Sequence, residues 1–298
     1  MTTDLKIGGL RADGKFQQTL AQPFSFSGTG IHTGTQASVT VHPADVDTGR
    51  SIRVRSHTNS YTIPARADYV VDTTRCTTLG VAGHRVHTVE HLLSALYAYQ
   101  IDNALIELDG VEIPILDGSA LPHALAIEQS GIMAQDKPPR VLHLKQSVRL
   151  EDRASAHKAE PADTLRVEVR VEFFNWPAGD TSCIFEMVED DYLPHMDTYR
   201  DGIAPARTFA FAQEVEQLLA AGLARGGSLD NALIITPPGE FSSPLRLPEE
   251  WCCHKLLDVL GDLALTNARL AMHIKALRPG HASNVNFARL LLEQSQAE

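Results

Sequence analysis

Along most of this chain, stretches that alternate apolar and polar residues follow one another with no helix between them. That order argues against a sheet built from repeated strand–helix–strand crossovers. In the first half "QASVTVHP" and "IRVRS" read as strands, with a helix near "VEHLLSALYAYQ" and a further strand at "NALIELDG". In the second half "VLHLKQSVRL", "LRVEVRVEFF" and "NALIITPPG" read as strands, and "FAQEVEQLLAAGL" and "EEWCCHKLLDVLGDLAL" as helices. The expected class is α+β, two similar domains, each a layer of helices on a mainly antiparallel sheet. The charged, proline-paired "QDKPPR" marks the break, which gives a first domain over 1–136, a linker over 137–140 and a second domain over 141–298. The pentapeptide "DNALI", at Asp102–Ile106 and again at Asp230–Ile234, adds to the expectation of two similar layers.

With 298 residues, 43% of them hydrophobic, the chain can bury a core in each domain. Lys plus Arg number 26 against 37 Asp plus Glu, a net charge of −11, which argues against a nucleic-acid face and against attachment to anionic lipid by charge. No apolar run is long enough to span a bilayer, and the start lacks the pattern of a signal peptide. A cytoplasmic monomer without an integral membrane segment is expected. Cys76, Cys183, Cys252 and Cys253 form no C-x-x-C pair, which suits a reducing compartment and reads as small buried apolar residues.

The stretch "HKLLDVLGDLAL" carries the most informative pattern. Leu256, Leu257, Leu260, Leu263 and Ala264 share one side of a helix, while His254, Asp258 and Asp262 run along the other. Such a column reads on its own as a solvated face. Yet side chains at i and i+4 stack, so His254 and Asp258 can grip one ion, and that pair of donors suits zinc. A third donor is available in "HTVEHLLSAL". Thr88 reads as a helix N-cap, which puts Glu90 and His91 in the first turn, where a carboxylate is favoured and stays ionised. His91, His254 and Asp258 then leave one tetrahedral position open, as catalytic zinc sites do, with Glu90 as neighbouring base. The same letters permit a rival: His87-x-x-Glu90-His91 matches the inverted zincin pattern of a peptidase.

At these residues the chain becomes familiar. "GTGIHTG", "TVEHLLSAL", "EIPILDGSA", "ARTFAF", "HKLLDVLGDLAL" and "GHASN", in this order, resemble the UDP-3-O-acyl-N-acetylglucosamine deacetylase family, the zinc amidases of bacterial lipid A synthesis. The likeness runs from Thr19 to Leu292 and implies two α+β domains with the active site between them. It implies His91, His254 and Asp258 as ligands of one catalytic Zn2+, with Fe2+ as a competitor in the cell, and Glu90 as general base. It further implies that a cationic His281 steadies the oxyanion and serves the leaving amine while Asp262 keeps it charged, in keeping with the effect of a carboxylate on a histidine. Thr208 matches a donor to the tetrahedral oxygen. Lys255 and Arg278 match positions near the sugar and nucleotide of the UDP-linked acylated amino sugar, Phe174 matches a ring under the uracil, and Phe209 and Phe211 join the substrate side.

The resemblance also implies an apolar acyl passage in Phe209–Ile235, where Val215, Leu218, Leu219 and Leu223 stand at helical spacing; spacing alone fits plain core equally well. Cys76 matches a family cysteine near the metal, a candidate ligand for a second, inhibitory zinc. "GTGIHTG" misses the spacing of a phosphate cradle and reads as a tight turn with His32 near the site, and Glu112 and Asp117 of "EIPILDGSA" read as scaffold. The chain departs from the family pattern at Ala210, Glu214 and Trp176. These changes leave the ligand set intact but keep open a paralogous zinc amidase with another N-acyl substrate. A catalytically silent sugar-nucleotide or acyl-carrier binding protein is the reading from another class, and Glu90, His281 and the three ligands speak against it.

Overall fold

The computed structural model describes residues 15–55, 60–172, 180–187, 194–237 and 239–297. Its helices are α1 (Glu90–Ala98), α2 (Leu121–Ser130), α3 (Pro194–Gly202), α4 (Ala212–Ala220), α5 (Glu250–Leu263) and α6 (His281–Gln294). In the first half, Phe24–Thr29, Gln36–Pro43, Ala104–Asp109, Arg50–Arg55 and Ser60–Pro64 form a five-stranded sheet in that spatial order. Neighbours are antiparallel except Arg50–Arg55 beside Ala104–Asp109. Alternation sets the faces: Ala37, Val39 and Val41 point inward from Gln36–Pro43, as period-two patterning requires.

The second sheet has seven strands. Arg269–Leu277 is its hub, parallel to Val141–His143 at its start and to Arg166–Glu172 further on, and antiparallel to Ser155–Pro161. The run "VLHLKQSVRL" is two strands, Val141–His143 and Val148–Asp152, because the chain bends at Lys145 and Gln146 between them. Sheet membership changes across the proline pair. Gln18–Leu20 pairs with Ile132–Ala134 before it, and Val141–His143 enters the second sheet after it. A mixed α+β fold with mainly antiparallel sheets is thus as expected. The two "DNALI" segments, by contrast, occupy unlike settings: Ala104 opens a central strand, whereas Leu233–Ile235 pairs with Phe209–Phe211 in a two-stranded parallel sheet.

Helix α5 lies against Arg166–Glu172 and Asp180–Glu186 of the second sheet and against α1 of the first half. Every residue of α5 except Lys255 is buried, so its polar column is covered rather than solvated. What covers it is α1. The two helices meet at Gly261, where a Cβ would stand 2.2 Å from the carbonyl oxygen of Glu90. No other residue permits that approach without moving a helix. Apolar side chains from both sheets and from α1, α2, α5 and α6 join in one continuous core. Among the described residues, no helix is long and apolar enough to cross a membrane.

Candidate active site

The α1–α5 crossing brings together three donors that are more than 160 positions apart in the chain at their extremes. The ligating atoms of His91, His254 and Asp258 all lie within 4.8 Å of one another, and all three residues are buried. Nε2 of His254 stands 3.5 Å from Oδ1 of Asp258, and Nε2 of His91 stands 4.0 Å from the same oxygen. Nδ1 of His254 donates to the carbonyl oxygen of Ala206 at 3.0 Å, which turns Nε2 toward the group as a free lone pair. Burial holds both imidazoles below their usual pKa, His91 further lowered by the neighbouring His254, so both are neutral. Burial alone would raise Asp258, but the Lys255 ammonium and the His281 cation hold it well below the usual carboxylate range. Two neutral imidazoles and one carboxylate at this spacing fit a divalent ion such as zinc.

Glu90 and His281 flank this group. Oε1 of Glu90 is 3.8 Å from Nε2 of His281, and Nδ1 of His281 is 3.0 Å from Oδ2 of Asp262. Burial would lower His281, but the carboxylates of Asp262, Asp258 and Glu90 prevail and hold it up to about 9. It is a cation at neutral pH. Glu90 departs from expectation: burial pushes its carboxyl up to about 8 against the opposing pull of His281. The first turn of α1 does not hold its pKa down, because at 2% exposure the loss of water outweighs the helix end; a divalent ion held by His91, His254 and Asp258 would favour the ionised, basic form. Thr77, which no sequence motif singled out, touches all three groups. Its backbone N–H donates to Oε2 of Glu90 at 3.0 Å, its hydroxyl donates to Oδ1 of Asp262 at 2.5 Å, and Nδ1 of His281 lies 3.3 Å from that hydroxyl. Asn284 of α6 adds a third donor to Asp262, to Oδ2 at 2.9 Å.

The "ARTFAF" segment is fixed beside α5 by a buried ion pair. The backbone N–H and Nε of Arg207 both donate to Oε1 of Glu250, at 2.9 and 2.7 Å. Glu250 opens α5, so this pairing places the adjacent Thr208 and Phe209 next to His254, whose ring centroid is 6.2 Å from that of Phe209. Nζ of Lys255 sits 5.6 Å over the Phe209 ring and 2.9 Å from Oδ2 of Asp258. An arginine just before "TF" and a glutamate at a helix start were the available signal for this anchor.

Glu112 ties three loops together. It accepts from the N–H groups of His32 and Thr33 at 2.9 and 2.8 Å and from the hydroxyls of Thr33 and Thr88 at 2.6 and 2.7 Å. Against burial, these bonds hold its carboxyl below the usual range. Gly30 of "GTGIHTG" is needed here, since a Cβ would stand 2.3 Å from Oε2 of Glu112. Thr88 therefore does not cap α1: its hydroxyl is spent on Glu112, its φ is +58°, and Val89 is the residue before the helix. His87 lies outside α1, next to Thr78 at 3.0 Å, and is not in the buried ligand group, so the inverted zincin arrangement does not form.

The ligand group opens into a cavity of about 1380 Å³ that also exposes Glu90, His281, Thr208, Phe209, Lys255 and His32. Helix α4 buries none of its residues, and Val215, Leu218 and Leu219 line the same cavity, so the apolar stripe is wall and not core. Leu223 is not on that wall. Nor are Phe211, whose ring packs 6.1 Å from that of Phe209, and Arg278, which lies 4.0 Å from Glu172. Phe174 and Trp176 fall outside the described residues. Cys76 is buried, and burial together with Glu90 pushes its thiol up to about 12; it does not join the ligand group.

Fold and site together define a class: a mixed α+β protein with a buried centre of two histidines and one carboxylate at the floor of a large cavity. The chain belongs to the UDP-3-O-acyl-N-acetylglucosamine deacetylase family. The family model described as UDP-3-O-acyl N-acetylglycosamine deacetylase matches residues 17–293. A protein named UDP-3-O-acyl-N-acetylglucosamine deacetylase from Thermodesulfovibrio yellowstonii is 37% identical over 278 residues, 93% of this chain and 92% of the relative. Proteins of the same name from Oleidesulfovibrio alaskensis and Chromobacterium violaceum are each 38% identical, over 94% of this chain and over 90% and 91% of their own lengths.

Proposed function

We propose that this protein is a zinc-dependent deacetylase that hydrolyses the N-acetyl group of UDP-3-O-acyl-N-acetylglucosamine, releasing acetate, in the cytoplasmic stage of lipid A synthesis. The observation that carries the reading is the convergence of His91, His254 and Asp258 within 4.8 Å beside Glu90 and a cationic His281. His91, His254 and Asp258 would hold the ion. When bound, zinc supplies Lewis acidity toward water and an amide carbonyl. Glu90 takes a proton from the attacking water as its oxygen bonds to the acetamide carbon. Nε2–H of His281 and the Thr208 hydroxyl donate to the carbonyl oxygen as it gains charge. The C–N bond then breaks, the sugar nitrogen receives a proton from His281 or from Glu90, and acetate and a free amine leave.

On this reading, Lys255 with Phe209 meets the sugar and the apolar wall of α4 takes the acyl chain. Phe211 and Arg278 serve the substrate from outside that wall, and Phe174 serves the uracil. The protein acts as a monomer whose two domains, 1–136 and 141–298, are joined by 137–140. Incubating the zinc-loaded protein with UDP-3-O-acyl-N-acetylglucosamine, and measuring acetate and free amine by mass spectrometry, tests the reading. Stoichiometric release of both supports it, and an intact substrate with the ion in place overturns it.

A further inference from the structure

Resting on that functional reading, we propose that Thr77 is a positioning residue that locks the Glu90 carboxylate and the Asp262–His281 pair into one frame. Thr77 is fully buried and lies just before the strand Thr78–Val81, outside both helices that carry the ligand group. It nevertheless reaches both sides of the proposed chemistry. The backbone N–H fixes one oxygen of Glu90, leaving the other to face His281 at 3.8 Å. The hydroxyl fixes Oδ1 of Asp262. Oδ2 is then left to accept from His281 Nδ1 and from the Asn284 amide, at 3.0 and 2.9 Å.

The division of labour between the two oxygens of Asp262 follows from this. A hydroxyl has one proton to give, and at 2.5 Å that proton goes to the carboxylate. The 3.3 Å approach of His281 Nδ1 to the same oxygen is then a secondary contact, and the Nδ1–H is directed to Oδ2. With Nδ1 so occupied, Nε2 points toward Glu90. Without the hydroxyl, Asp262 can rotate and share Nδ1–H between its oxygens, which tilts the imidazole and misplaces Nε2. The backbone bond to Glu90 survives any side-chain change, so the effect isolates the hydroxyl.

The test compares Thr77→Ser with Thr77→Val. Thr77→Ser keeps the donor and should retain kcat to within about threefold, whereas Thr77→Val should lose on the order of 10- to 100-fold in kcat with little change in KM. Zinc content should be unchanged in both. An independent readout needs no substrate: the 15N and proton shifts of the His281 ring report the Nδ1–H bond to Asp262, and they should move in Thr77→Val and stay in Thr77→Ser. Equal kcat in Thr77→Val and wild type, or an equal loss in Thr77→Ser, overturns the proposal, as does an unshifted His281 signal in Thr77→Val. If wild type releases no acetate, the functional reading fails, and the ring shifts still decide the role of Thr77. Should Thr77→Val not fold, Thr77→Ala removes the hydroxyl without overfilling the site and carries the same readouts.

Discussion

Nδ1 of His281 lies 3.0 Å from Oδ2 of Asp262, and that contact sets the pH range over which His281 can give up a proton. Ordinary histidine loses its charge near 6.5, whereas here the surrounding carboxylates hold it up to about 9. On the proposed reading the cation is the working form, so activity should persist through neutral pH and fall as pH rises through about 9. Asp262→Asn removes a negative charge, which lowers the histidine pKa and should move that basic limb toward neutrality. A pH profile of kcat/KM whose basic limb does not move in Asp262→Asn would falsify the assignment.

On the proposed reading Glu90 is a base and not a ligand. Glu90→Ala should bind zinc as wild type does and lose roughly 100- to 10,000-fold in kcat. Metal analysis on the same preparation separates the two effects; unchanged turnover, or lost zinc, contradicts the role.

His254 and Asp258 should each be required to hold the ion. Asp258→Ala leaves an open two-nitrogen site, and retained zinc after dialysis should drop from near one per chain to a small fraction. Chelation of wild type should abolish acetate release, and added Zn2+ should restore it. Full activity in the chelated protein would refute metal dependence.

Gly261→Ala offers a test whose sign is informative. In a free-standing helix the change would stabilise by about 1 kcal/mol. Here the new methyl meets the Glu90 carbonyl at 2.2 Å, and overpacking of this kind costs about 1–3 kcal/mol. Chemical denaturation should show a net loss of stability, and a gain would mean that α1 and α5 do not pack as described.

The stripe on α4 should govern chain length. Val215→Trp fills part of the cavity wall and should lower kcat/KM by about tenfold or more for a long acyl chain, while a short-chain analogue stays near the wild-type value. Equal effects on both substrates would remove α4 from chain recognition.

Much of this was readable in the residues themselves. Period-two alternation in Gln36–Pro43 and the helical spacing of α5 are local signals, and local signals survive folding. The pairing of His254 with Asp258 is likewise a property of one helix. Joining His91 to them rested on donor type and the open fourth position it leaves, and the family motifs implied the same set; nothing in the spacing of distant segments says which faces meet. Thr77 and Asn284 were silent for the same reason, and the Arg207–Glu250 pair left only a faint trace: each acts through a tertiary contact, and a lone threonine or arginine is compositionally ordinary. Thr88 misled because an N-cap preference is a weak local term, and Glu112 offers its hydroxyl a charged acceptor instead. The upward push on the Glu90 pKa is not legible in the sequence because the helix end is visible there and burial is not.

His91 rides on α1 while His254 and Asp258 ride on α5, so ion occupancy and helix pairing are two views of a single equilibrium. Whatever pries the helices apart loosens the ion by the same free energy with which the ion draws them together. If the proposed ion is bound there, a chelator should act on this protein as a mild, local denaturant. On the proposed reading, a packing defect far from the cavity should announce itself first as leaked metal.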